Sequence, residues 1–247
     1  MPDARIPAVP AGHDLRAAAF WWGFQLRRMM RRRGVKLAAV AVVGIFLLLK
    51  TVGRSRPAEL GALFVLGLPP LLALFFGSGV MREEIEDQTL TYPFSRPVGR
   101  VWLYGARVLA SAAPVVILTV PFAVMAGLGL GPRTATGYVL GATLGGVAYT
   151  CLFALTGQLI KWPAWFGLAF LLFWEGVLGR VPGFLGRLTL STHVRGLANL
   201  PPTEGQFAAA WTAPPFVVSL VVLIGVALAT LWLAGVRVRR KEFVLTR

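Results

Sequence analysis

One cysteine, two histidines and ten acidic residues are all that this chain of 247 residues offers to redox, metal or acid–base chemistry. A single thiol excludes an internal disulfide, and Cys151 falls inside an apolar run, where a thiol behaves as a small inert hydrophobe. His13 and His193 stand alone, with no second His, Cys or carboxylate at metal-ligand spacing, so they are read as surface or interfacial groups. No G-x-x-x-x-G-K-[ST] phosphate loop occurs, which excludes ATP binding in the usual way. No Ser-His-Asp order suggests acyl transfer. The expectation is a chain with no catalytic residue, no bound cofactor and no metal.

What is abundant is apolar. Hydrophobic residues make up 56% of the chain and the mean hydropathy is +0.70, well above the roughly 45–50% of a soluble domain. These residues lie in long charge-free blocks, and a bilayer core of ~30 Å needs about 20 apolar helical residues per crossing. Six segments meet or approach that: Lys36 to Thr51, Leu60 to Met81, Val101 to Leu130, Thr136 to Ile160, Trp162 to Gly179, and Pro215 to Val236. The expected fold is all-α integral membrane, with six transmembrane helices. Pro69-Pro70 predict a kink or a break in the hydrogen-bond ladder of the second segment. Gly141 and Gly145, four residues apart, predict close helix packing along the fourth.

The net charge of +15 would raise nucleic-acid binding in a soluble protein. Here the charges sit between apolar blocks and suit lipid head groups instead, so membrane lipids rather than nucleic acid are expected. Lys and Arg are unevenly divided between the two sides. Eight precede the first segment, four flank the 82–107 loop, Lys161 follows the fourth, and five lie in the tail, against seven on the other side. The positive-inside rule then places both termini in the cytoplasm of a cell-membrane protein.

Within this frame residues 1–35 form a cytoplasmic N-terminus carrying an amphipathic interfacial helix. Trp21 and Trp22 beside Arg27, Arg28, Arg31 and Arg32 supply its anchors on an anionic leaflet. Residues 36–236 form the six-helix domain and 237–247 a basic cytoplasmic tail. Residues 180–214 form an external segment, read as short amphipathic pieces resting on the membrane surface. Glu175 is the one carboxylate inside an expected span, a position where a charge is costly unless paired or hydrated. Two readings stay open for it: a substrate path or gate, and pairing with an external arginine such as Arg180.

The longest cytoplasmic loop, 81–100, reads MREEIEDQTLTYPFSRPVGR and holds four of the ten acids within five positions. Charge alone fits a solvated helix end, an internal partnership with Arg82 or Arg96, or a negative face for a soluble partner. The run Glu84-x-Glu86-Asp87-x-Thr89-Leu90, then Ser95-Arg96-Pro97-Val98-x-Arg100, resembles the loop after the second span in ABC-2-type transporter permeases, the membrane subunits of many ATP-driven exporters. Gln88 stands where that family usually has Gly, and Pro93-Phe94 interrupt its apolar patch.

The resemblance implies a coupling helix that docks on a separate ABC-type ATPase subunit through Glu83, Glu84, Glu86, Asp87, Thr89 and Leu90. It also implies that ATP and Mg belong to that subunit, and that the permease pairs with a second copy of itself or a sister permease. A membrane scaffold that tethers a soluble partner without transport is the second reading. A lipid-acting membrane enzyme is the third, and it lacks the polar pairs it would need at several helix mouths.

Overall fold

The computed structural model describes residues 11–51, 57–80, 100–181, 183–200 and 212–240. Among them every regular element is helical. In chain order these are α1 (Ala11–Met30), α2 (Arg33–Thr51), α3 (Pro57–Ala62) and α4 (Leu68–Ser78), then α5 (Arg100–Leu128) and α6 (Pro132–Leu159). They are followed by α7 (Pro163–Ala169), α8 (Phe184–Arg187), α9 (Leu190–Ala198) and α10 (Phe216–Arg240). Five stretches are long and apolar enough to cross a membrane: Arg33–Thr51, Pro57–Gly77, Val101–Leu128, Pro132–Leu159 and Phe216–Val238. A sixth apolar helix, Pro163–Glu175, is shorter.

The two prolines of the second stretch act one turn upstream of themselves. Leu63–Gly67 is a π turn joining α3 to α4, closed by the Leu68 N–H donating to the Leu63 carbonyl. Neither Pro69 nor Pro70 can donate to the carbonyl four residues back, and each ring would clash with it in a regular α-helix. Widening the preceding turn relieves both problems. Pro114 and Pro121 lie inside α5, which continues through them.

Close glycine contacts fix how the rods align. At one end of the bundle Gly34 of α2 lies on Phe75 of α4, Gly157 of α6 on the Ser78 backbone, and Gly235 of α10 on Val101 of α5. At the other end Gly61 lies under the Tyr138 ring, Gly127 against Ala135, and Gly196 against Pro214. The starts of α2 and α5 and the ends of α4, α6 and α10 therefore share one end, which is also where α1 packs, chiefly on α5. Both helices that flank residues 81–99 reach this end.

The core is centred on α3–α4, α5 and α6, where Phe64, Val115, Tyr138 and Phe153 are fully enclosed. Phe46 of α2 and Phe122 of α5 join Phe64 in an aromatic cluster with ring centroids 4.8 to 5.7 Å apart. By contrast α2 and α10 bury only 17% of their apolar windows and form the rim. Their bare Leu37, Val40, Leu48, Val217, Val221, Leu228 and Trp232 are the kind of surface that lipid covers.

Candidate functional site

Two short helical pieces lie between the end of α6 and the start of α10. The first is α7 with the π turn Phe170–Glu175 that continues it, closed by the Gly176 N–H donating to the Leu171 carbonyl. It rests on α4 and α6 through Gly167, whose Cα faces Leu74 and Phe153. The second is α9, packed along α6. The excursion between them carries a 3-10 turn, Leu178–Arg180, and the single turn α8.

Glu175 joins the two pieces. Its side chain is buried, with 9% of its surface exposed. Oε1 accepts from the Leu190 N–H at 3.1 Å and Oε2 from the Ser191 N–H at 2.8 Å. These are the first two amides of α9, which have no partner within the helix. An anion here also meets the positive end of the helix dipole. The preceding Thr189 does not cap the helix itself; its hydroxyl donates to the Gly186 carbonyl and is shared with Thr192 at 3.0 Å. The carboxylate takes the place of the missing cap.

Other polar groups gather around this junction. Tyr149 of α6 is buried near this junction, and Arg195 of α9 lies close by. His193 is buried and its Nε2 lies 2.9 Å from the Arg187 carbonyl. Among the described residues no group of three His, Cys, Asp or Glu could hold a metal. The arrangement positions a helix.

The seat of α9 is a smooth track on α6. A Cβ on Gly137 would stand 2.8 Å from the Leu197 carbonyl oxygen, on Gly141 3.4 Å from that of Val194, and on Gly145 2.8 Å from a Val194 methyl. Gly145 lies ~20 Å along α6 from Pro132 at 1.5 Å per residue. The close packing expected at Gly141 and Gly145 is therefore present, and its partner is α9. This corrects the expectation of a surface-lying segment for residues 190–198. Leu190, Val194, Leu197 and Ala198 join the central core, because three glycines in register leave room for a whole helix.

The other expected site residues divide in two. Glu83, Glu84, Glu86, Asp87, Thr89 and Leu90 lie outside the described residues, as does the side chain of Arg180. The anchors of α1 are described. Trp21 stacks on Phe24 at 5.6 Å, Trp22 is exposed, and Arg27, Arg28 and Arg31 project from the surface. Arg32 is half-buried in the turn that leads into α2. Gln25 and Arg107, which drew no functional reading from the sequence, are both buried where α1 meets α5.

Fold and site together define the class: a helical, membrane-embedded protein whose interior holds a short helix seated among its long ones. No family model, no curated protein and no solved structure matches the chain.

Proposed function

We propose that the chain is the membrane-spanning permease of an ABC-2-type exporter, driven by a separate ATPase subunit and working as one half of a dimer of permeases. The sequence contribution is the acidic run from Glu83 to Leu90 followed by Ser95-Arg96-Pro97-Val98. The structural observation that carries the reading is a set of five helices long and apolar enough to cross a membrane, beside which Glu175 ties the shorter apolar helix Pro163–Glu175 to Leu190–Ala198; we take these two pieces together as a sixth pass. Laid end to end these two pieces supply ~33 Å of helix, enough for a core of ~30 Å.

An even number of passes puts α1, the flanks of the acidic loop and the basic tail at one end. On the positive-inside rule that end is cytoplasmic. There the loop acts as a coupling helix, receiving the closure of ATP-bound partner subunits and passing it to α4 and α5, to which it is directly joined. ATP and Mg are held by the partner. The sixth pass is the one that can bend, because its halves meet through side-chain hydrogen bonds instead of a continuous helix.

The test is a pull-down of the tagged, gently solubilised chain. An ATPase should co-purify with the wild type and be lost in the double charge reversal Glu84→Lys, Glu86→Lys. Recovery of a soluble partner with no ATPase among the proteins brought down would replace transport with the scaffold reading.

A further inference from the structure

Where α1, the end of α4 and the start of α5 converge, a small pocket lies beside a groove whose walls are mixed, Arg32 on one side and Met29, Val35, Phe75 and Phe76 on the other. Gln25, Arg32, Arg107 and Ser111 line the pocket, which has room for one water-sized body, about 20 Å³. Arg32 and Phe76 are shared with the adjoining groove, about 270 Å³, which runs out past Val35. Gln25 is 4% exposed and its Nε2 has no hydrogen-bond partner in the protein. An enclosed amide donor without a partner costs about as much as a lost hydrogen bond, so a ligand that accepts from it has a ready-made place.

From this we infer that the pocket and groove form a site for one anionic phospholipid. The phosphate would accept from the Gln25 amide and from the Arg32 and Arg107 guanidiniums, with one oxygen entering the small inner pocket. An acyl chain would lie along Phe76 and Val35. Three observations converge on this chemistry. Arginine is the side chain whose forked donors match phosphate geometry. Arg107 is ~10 Å along α5 from Arg100, shallow enough to meet the head-group layer. The exposed Phe20, Phe24 and Trp22 of α1 place that helix at the same layer. The lipid would fasten α1 to the spans. This inference requires only that the chain sits in a membrane and stands apart from the transport reading.

The test uses the full chain, purified in mild detergent and stripped of lipid, then titrated with phosphatidylglycerol or phosphatidylcholine and followed by native mass spectrometry. One phosphatidylglycerol should stay bound under activation that removes phosphatidylcholine. Arg32→Gln and Gln25→Leu should each weaken that binding roughly tenfold, the scale of one charge-assisted hydrogen bond. The control Arg133→Gln, an exposed arginine at the opposite end of the bundle, should leave it unchanged. Lipid-free melting temperatures separate loss of the site from loss of the fold. Equal retention of the two lipids, or equal loss in the control, overturns the site. Equal thermal protection by inorganic phosphate overturns the lipid in favour of a free phosphate.

Discussion

The Glu175 carboxylate and the Ser191 amide, sixteen positions apart in sequence, are 2.8 Å apart in space. With the neighbouring bond to Leu190 this contact ties the π turn that follows α7 to the first turn of α9. The charge in the apolar region is thereby occupied with backbone donors.

Glu175→Ala should therefore cost about 2–4 kcal/mol, since two amides are left enclosed without acceptors. Glu175→Gln, which keeps one acceptor oxygen, should cost roughly half as much. Hydrogen exchange read at Leu190 and Ser191, alongside the melting temperature, is the measurement. Unchanged protection at both amides in Glu175→Ala would remove the cap.

Gly137→Ala and Gly145→Ala should each destabilise the chain by about 1–3 kcal/mol, because the added methyl meets α9 at 2.8 Å. Gly44→Ala and Gly225→Ala, where nothing stands within 4 Å of a Cβ, should be neutral or stabilising by up to about 1 kcal/mol. Thermal unfolding of the four variants in one detergent compares them directly. Equal melting temperatures across the set would show that the glycine track carries no packing.

The number of passes is open to chemical mapping, because the lone native cysteine is buried and can be removed as Cys151→Ser. Single cysteines introduced as Ile85→Cys and Phe243→Cys should react with an impermeant thiol reagent from one side of the membrane. Arg54→Cys and Gly205→Cys should react from the other. Labelling of positions 85 and 205 from the same side would mean that the two short helices do not cross.

The long helices were legible in the sequence because their signal is local: twenty apolar residues in a row have the same meaning wherever they occur. The effect of Pro69-Pro70 was legible too, since the missing N–H acts on the turn next to it. The fate of Trp162–Gly179 was not. As a stretch of hydropathy it resembles its neighbours, yet its helix ends at Glu175, whose acceptors serve a helix that begins fifteen residues later.

Residues 190–198 misled for a related reason. Ser191, His193 and Arg195 suggest a wet face, whereas the deciding feature lay in another helix, in the spacing of Gly137, Gly141 and Gly145. Gln25 and Arg107 escaped notice because each is unremarkable alone, and only the fold brings them to one pocket.

A helix seated on bare backbone comes closer than interlocking side chains would allow, and what holds it lengthwise lies around the seat: Leu190, Val194 and Leu197 in the core, Gly196 against Pro214, and the two tip amides on Glu175. Loss of that carboxylate alone would then loosen the first turn of α9 and leave the rest of it in place.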